Sequence, residues 1–383
     1  MEWITCENTY EEAWRRLLEY ANIELAVEAI SLIHGKPTDK TVSNYKKQAE
    51  QVRVSLLQAK EYFEAAKVSS LYTQPNHLYY GSVALSIACM LIRGDGTKSL
   101  DYLRKESKNS NHGLAFTFSS DINKSKIGLS LLDDCYVRIC KNGHFHNWYS
   151  TLKPQQSVPA IIHNDYQHGS MRNMKSIGNY KIPKFHEMQD IKKNLIFILK
   201  RLPDLCEDLA RYGVSVDHAR GEHHSFFNEN KMESWDDFVF HSSPSPDSLI
   251  NVIGKFTCDD GVNFIYDIHQ GKTSGVVRRR KTNKDNFSFS YPDSRMTMDH
   301  KTIYYSDSIT TPEIVDLFCI SYALSMLSRY YPDVWISFLE SHCKGAKLVE
   351  RVVRILTLKV PTLMLNQIKG TELIISNHRP LWH

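Results

Sequence analysis

The sequence lacks every short pattern that assigns a chemical activity by itself. It contains no Walker A loop, no G-x-G-x-x-G dinucleotide pattern and no G-x-S-x-G nucleophile elbow. These absences leave the chain without a sequence signature of a P-loop nucleotide hydrolase, a Rossmann-type dehydrogenase or an α/β-hydrolase. They do not exclude an active site built from residues that are far apart in the sequence.

Paired cysteines and long apolar runs are also missing. The eight cysteines are scattered and none forms C-x-x-C, which is typical of a reducing compartment. The longest nearly apolar stretch, 83–92, is about half of the ~20 residues that span a bilayer, and the N-terminus carries no basic stretch before an apolar one. We therefore expect a soluble cytoplasmic protein with no membrane partner.

A strong charge of one sign is absent as well. The formal net charge is +4 over 383 residues, which neither demands nor excludes an anionic partner. Any argument for nucleic-acid binding must therefore rest on local clusters of charge.

Hydrophobic periodicity predicts helices near both ends of the chain. Thr9 and Glu12 have the spacing of a capping box, and further helices are expected at about 42–67, 76–92 and 317–331. The second of these should end near Gly94, whereas Gly345 and Pro361 should break the C-terminal helices. We expect the helices at 80–91 and 317–331 to pack in one core, with the Arg329 head group hydrogen-bonded or solvated, or else binding an anion.

The middle of the chain has a different periodicity. The turn Asn142-Gly143 predicts a hairpin of strands 136–140 and 144–148, and one helix, which Pro203 divides, is expected over about 188–212. Alternating residues at 262–268 and 302–305 predict strands. The order of elements indicates an α+β protein whose N- and C-terminal helical segments share one core. We divide it into a helical region 1–114, a mixed region 115–225, a β-rich region 226–307 and a helical region 308–383.

Four segments together resemble a known family. They are Gln74-Pro-Asn-His-Leu-Tyr-Tyr-Gly, His112-Gly-Leu114, Lys141-Asn-Gly143, and Tyr322-Ala-Leu-Ser-Met-Leu-Ser-Arg-Tyr330 followed by Trp335. In this order they resemble the YaaC-like family of bacterial proteins over most of the chain, least between about 214 and 307. The resemblance implies a fold and no catalytic residues. The tyrosine-rich helix is also similar, more loosely, to the HEPN superfamily, which contains ribonucleases of toxin and phage-defence systems.

The HEPN likeness directs attention to arginine and histidine pairs at short spacing. The chain has three: Arg138 with His144, Arg211 with His218, and Arg295 with His300, about what chance gives with 17 histidines. The hairpin expected at 136–148 would place the first pair on opposite faces. The segment around His218 is also the densest group of potential metal ligands, but an exposed loop explains it equally well, and we predict no metal and no cofactor. If the protein is an enzyme, we expect a nuclease, with the following candidate catalytic residues: Arg211, His218, Glu222 and His223.

A basic segment is the strongest binding feature. Six cations lie within 13 residues with no acid among them, followed by alternating aromatic residues. Two strands at 276–280 and 287–291 would present the cations to phosphates while the rings stack on bases or pack below. The predicted nucleic-acid-binding residues are Lys272, Arg278, Arg279, Arg280, Lys281 and Lys284.

Three classes of function stay open at this point. The leading hypothesis is a nucleic-acid-binding component of a bacterial stress or phage-defence system, with DNA or RNA as partner. The alternatives are a HEPN-like ribonuclease or another nuclease with a non-obvious site, and a non-enzymatic protein-interaction module with a protein partner or a homo-oligomer.

Overall fold

The computed structural model describes most of the chain, in sixteen ranges. These are residues 2–39, 41–94, 99–105, 111–119, 128–153, 162–165, 171–174, 182–216, 218–228, 233–243, 262–269, 272–281, 293–298, 303–306, 311–371 and 373–377. The side chains of most residues in the strands between 162 and 306 lie outside this description, as do those of 102–104.

The helices follow in chain order. They are α1 (Thr9–Glu19), α2 (Ile23–His34), α3 (Val42–Val68), α4 (Gln74–Arg93), α5 (Leu100–Lys105), α6 (Leu129–Asp134), α7 (His144–Tyr149), α8 (Phe185–Met188), α9 (Leu195–Leu199), α10 (Cys206–Arg211), α11 (Glu313–Tyr330), α12 (Pro332–Glu340) and α13 (Lys344–Lys369). A 3-10 turn, Pro203–Leu205, lies between α9 and α10.

The strands form three sheets. They are β1 (Glu2–Thr5), β2 (Leu114–Phe118), β3 (Cys135–Ile139), β4 (Ile162–Asp165), β5 (Met171–Met174), β6 (Lys192–Asn194), β7 (His218–Asn228), β8 (Glu233–Ser243), β9 (Val262–His269), β10 (Lys272–Lys281), β11 (Asp293–Met296), β12 (Ile303–Ser306) and β13 (Leu373–Ser376). β1 pairs in parallel with β13, and β2, β3 and β6 form an antiparallel sheet in that order. The third sheet has the order β11-β12-β7-β8-β10-β9, with β5 on β7 and β4 on β5.

Close packing between α3 and α4 depends on small residues of α4. A Cβ at Gly81 would lie 2.6 Å from Cδ2 of Phe63, so only glycine lets the two helices approach this closely. Ser82 and Ala84 are buried on the same helix. The predicted bounds of both helices are confirmed within two residues, and α4 ends at Gly94 as expected.

The N- and C-terminal helices share one core, as predicted. Asn76 Nδ2 of α4 donates to Ser328 Oγ of α11 (3.1 Å), and the ring centres of Tyr79 and Phe318 lie 5.8 Å apart. Trp335 Nε1 of α12 donates to the Tyr72 carbonyl just before α4 (3.1 Å). The α+β class is thereby confirmed, while the four region boundaries stay predictions.

The hairpin predicted at Asn142-Gly143 is wrong. Residues 144–149 form α7, and the partners of β3 are β2 and β6. Gly143 has φ +117°, and a Cβ there would lie 2.5 Å from the amide nitrogen of Gly113. The turn therefore closes against Gly113 instead of reversing one strand onto the next. Phe145, Trp148 and Tyr149 then bury one face of α7.

Three further expectations about helices are corrected. The segment 188–212 contains β6, α9, the 3-10 turn and α10, because 192–194 pairs with β3 and Asn194 accepts from the Phe197 amide to begin α9. Pro361 does not break α13, which runs through it within a buried face, although that position lacks an N–H donor. At α1 the cap is the Asn8 side chain rather than Thr9.

A buried ionic network joins the β-rich part to the helical core. Arg295 of β11 donates to Asp316 Oδ2 (2.5 Å) and to the Arg201 carbonyl (2.7 Å). Lys359 of α13 donates to Asp204 (2.8 Å) and to Glu313 (2.6 Å). Arg201 lies 3.4 Å from Asp316, so three cations and three acids balance in charge. Buried charges that are paired and hydrogen-bonded in this way resist separation, because removal of one leaves another uncompensated.

Candidate anion-binding site at the meeting point of four segments

The four segments quoted for the family resemblance meet around the buried ring of Tyr79. Its ring centre lies 5.4 Å from His112 and 5.5 Å from Tyr322. Tyr322 is itself fixed by a hydrogen bond from its hydroxyl to the Leu114 carbonyl (2.9 Å). The third segment, Lys141-Asn-Gly143, joins the others because Gly143 lies close to Gly113.

His112 is held in one tautomer by Tyr79. The Tyr79 hydroxyl lies 2.8 Å from Nδ1 of His112, and burial raises the pKa of Tyr79, so the hydroxyl keeps its proton. Among the described residues this proton has no other acceptor, so we assign the hydroxyl as the donor and Nδ1 as the acceptor. Burial lowers the pKa of His112, and the charge of Arg329 adds to this effect, so the ring is neutral at neutral pH. A neutral imidazole whose Nδ1 accepts a hydrogen bond carries its own proton on Nε2. The half-buried His112 therefore presents an N–H donor.

Arg329 brings a half-buried positive charge to the same place. Its Nη1 donates to the Tyr80 hydroxyl (2.6 Å), and its Cζ lies 5.2 Å from the Tyr80 ring centre and 5.1 Å from that of Tyr330. Its other contacts are long: Nε lies 3.4 Å from the Ser325 carbonyl, and Nη2 lies 3.5 Å from Met326 Sδ. The prediction that this head group is hydrogen-bonded is confirmed. In the described part of the chain, no carboxylate forms an ion pair with it.

His144 and Ser86 form a second polar pair behind this site. His144 Nε2 lies 2.6 Å from Ser86 Oγ, which also donates to the Val83 carbonyl (2.7 Å). The hydroxyl has one proton, so both bonds form together only if Nε2 of His144 is the donor. Burial lowers the pKa of His144 to about 4, with the neighbouring His112 adding to the effect. Ser86 is fully buried, so this pair positions α7 against α4 and does not resemble an accessible nucleophile with its base.

Three polar groups of the site can each donate a hydrogen bond to a ligand. Arg329 supplies N–H groups, His112 supplies Nε2–H, and the Tyr80 hydroxyl accepts from Arg329 and so keeps its own proton to donate. Donors that include a positive charge with no acid partner in the described ranges favour an anion, and charge-assisted hydrogen bonds of this kind are the strong ones. The rings beside them favour a ligand that also has a flat apolar part.

The four candidate catalytic residues do not form one described site. The Arg211 side chain is 69% exposed and pairs with Asp208, whereas His218 is entirely buried beside Arg201 and Arg295. Burial lowers the pKa of His218 to about 3. Glu222 and His223 are consecutive residues of β7, opposite Val239 and Phe238 of β8, and their side chains lie outside the described residues. The exposed loop considered as the alternative explanation for this segment is therefore a strand.

Of the other two arginine and histidine pairs, one is separated and one is described only in part. Arg138 of β3 is exposed and donates to Asp190 (3.2 Å), whereas His144 bonds to Ser86. This outcome agrees with the expectation, although the hairpin from which it was argued does not exist. Arg295 is buried in the ionic network, and His300 lies outside the described residues.

Five of the six predicted nucleic-acid-binding residues lie on β10, and Lys284 lies outside the described residues. The pairing of β10 with β8 places Arg278 opposite Asp237 and Arg279 opposite Asp236. Acidic residues thus occupy the positions across from two of the cations. The sequence of the basic segment alone does not reveal this, because the acids belong to another strand. Because the side chains of β10 are not among those described, binding through this strand stays a prediction.

Sequence reasoning identified Arg329 but not its companions. Tyr79, His112 and Arg329 are separated by 33 and 217 positions, so no local spacing joins them. All three lie in the segments that carry the family resemblance, and this shared location is the feature of the sequence that could have identified them.

These observations define the class of protein: an α+β fold whose candidate site combines hydrogen-bond donors with aromatic rings. The model of the family described as YaaC-like Protein matches residues 31–368, and the chain belongs to that family. No curated protein and no solved structure matches the chain. Among the described residues no helix is both long and apolar enough to cross a membrane, and no group of three histidine, cysteine or acidic side chains is arranged to hold a metal ion.

Proposed function

We propose that this YaaC-like protein binds nucleic acid, with a backbone phosphate held at Arg329, Tyr80 and His112. The observation that carries the proposal is the half-buried Arg329 guanidinium, which has no acid partner among the described residues and contacts the rings of Tyr80 and Tyr330. Arginine binds phosphate through paired N–H groups and also stacks on aromatic faces. The site therefore has a group for the phosphate of a nucleic acid and rings for its flat base.

The basic strand β10 is a second contact in this proposal. Its cations would follow the phosphate backbone without reading sequence, as non-specific binding requires. A role in a bacterial stress or phage-defence system is the proposed setting, and it draws on the looser likeness to HEPN proteins.

The test is the binding of fluorescently labelled oligonucleotides, followed by anisotropy across a salt titration. Arg329→Gln should weaken binding by about 10- to 150-fold, since a hydrogen bond to a charged group contributes about 1.5 to 3 kcal/mol. Arg329→Lys should recover part of the loss, because it keeps the charge but not the paired donors.

Arg15→Gln is the matched control. It removes an exposed arginine that pairs locally, with Glu12 and Glu19, on α1, and it should bind like the parent. A parent protein that binds neither DNA nor RNA at low salt contradicts the proposal. So does an Arg329→Gln variant that stays folded and binds like the parent throughout the titration.

A further inference from the structure

Four side chains from three helices form a continuous ladder beside the anion site. The rings of Tyr62 of α3 and Tyr80 of α4 are stacked, with centres 5.9 Å apart and planes at 28°. The Arg329 guanidinium of α11 lies next, 5.2 Å from the Tyr80 centre and 5.1 Å from the Tyr330 centre. Tyr330 is the last rung.

The last rung is open to solvent. Tyr330 is 61% exposed, more than any other tyrosine that the structure describes. In contrast, Tyr79 and Tyr322 are buried, and the Tyr79 ring contacts Tyr80 (5.5 Å) and Arg329 (5.9 Å). Tyr330 is the final residue of α11, and the next helix begins two positions later at Pro332, so the backbone that carries the ring is fixed on both sides.

We propose that an unpaired base stacks on Tyr330 while its own backbone phosphate binds Arg329, so the ligand class is single-stranded nucleic acid. This inference rests on the proposed function and narrows it. Tyr330 contacts Arg329 and carries the most exposed ring of the four side chains, so it is the place where stacking can continue, and every base has the π-face that this requires.

Strand selectivity follows from the same geometry. A base inside a duplex is paired and covered on both faces by its neighbours, so it cannot reach Tyr330 without unstacking. A duplex would offer only its phosphates, which bind Arg329 and the basic strand without help from the ring. Stacking does not depend on the sugar, so single-stranded RNA and DNA should both bind.

The experiment compares single strands with the same sequences as duplexes, using the full chain and anisotropy. Tyr330→Ala should weaken single-strand binding by about 5- to 150-fold, the range for one base stacked on one ring. Tyr330→Phe should bind like the parent, because it keeps the ring. Duplex binding should be the same for all three proteins.

Two controls separate stacking from other effects. Phe197→Ala removes another exposed ring, 43% exposed on α9, and should leave binding unchanged. An abasic strand keeps the phosphates without the bases, so Tyr330→Ala should not alter its binding. Because Tyr330 is exposed, its variants should melt like the parent.

The outcomes distinguish the inference from the function on which it rests. If Arg329→Gln loses binding but Tyr330→Ala does not, or if single strands and duplexes bind equally, the stacking site is wrong and nucleic-acid binding stands. If the parent binds no oligonucleotide at all, both are wrong.

Discussion

The hydroxyl of Tyr79 and Nδ1 of His112 lie 2.8 Å apart, and this one hydrogen bond decides what the site offers a ligand. With Nδ1 assigned as the acceptor of this bond, the neutral His112 ring carries its proton on Nε2 and presents only Nε2–H. A lone pair at that position would repel a phosphate oxygen, whereas an N–H attracts it.

Tyr79→Phe should raise the pKa of His112 and let the neutral ring adopt either tautomer. The tyrosine hydroxyl stabilises the neutral ring by donating to it, so its loss disfavours that form. The cost in stability should be about 1 kcal/mol, because half-exposed His112 can replace the bond with water. Nitrogen chemical shifts of the histidine side chains during a pH titration measure both effects.

Tyr322→Phe is the control for that experiment. Its hydroxyl donates to the Leu114 carbonyl and not to His112, although its ring centre lies 5.8 Å from that of His112, against 5.4 Å for Tyr79. A His112 tautomer and pKa that respond equally to both substitutions would contradict the role assigned to Tyr79.

Gly143→Ala should destabilise the fold far more than Gly213→Ala. Both glycines have positive φ, +117° and +83°, so both substitutions carry about 1 to 2 kcal/mol of backbone strain. Only at Gly143 would the Cβ also meet Gly113, at 2.5 Å from its amide nitrogen, whereas nothing lies within 4 Å at Gly213. Overpacking of this kind adds about 1 to 3 kcal/mol. Equal losses in urea unfolding would show that the close approach is not important.

The helical half of the fold was predictable because its signals are local. Regular apolar spacing gave α3, α4 and α11, and the burial of α11 on nearly every face explains why it could not remain exposed. The turn at Asn142-Gly143 could not be predicted correctly, because its conformation is set by Gly113, thirty positions earlier. The site could not be predicted from the sequence for the same reason. The tautomer of His112 depends on Tyr79, and the environment of Arg329 depends on Tyr80, which are distant in the sequence.

Asp316→Asn should destabilise the protein by about 3 to 5 kcal/mol. The substitution leaves Arg295 and Arg201 in a buried place without their acid. Thermal or urea unfolding measures the loss. Glu350→Gln removes an exposed partner of Lys347 and should cost less than about 1 kcal/mol. A similar small loss for Asp316→Asn would show that water reaches the network.

Stability should fall as the pH falls from about 6.5 to about 4, and His144→Gln should reduce this slope. The pKa of His144 is about 4 in the fold and ~6.5 in the unfolded chain, so between these values the unfolded chain binds the extra proton. The effect is at most about 3 kcal/mol and is fully lost below pH 4. Buried His218 contributes in the same window, so the slope should shrink without vanishing. A variant with the parent's slope between pH 4 and 6.5 would contradict the assignment, and above pH 7 the two curves should run parallel.

Changing Arg278, Arg279 and Arg280 together to Ala should weaken binding to any long nucleic acid without altering the fold. Each lost phosphate contact should make the log-log salt dependence shallower by about 0.7 to 0.9. The register of β10 with β8 adds a sharper test, since Asp237 and Asp236 lie opposite the first two arginines. Changing both acids to Asn should tighten binding if these cations contact phosphate, because the positions across from them then carry no negative charge. If both variants bind like the parent across the titration, β10 makes no phosphate contact, and any binding that remains belongs to the Arg329 site.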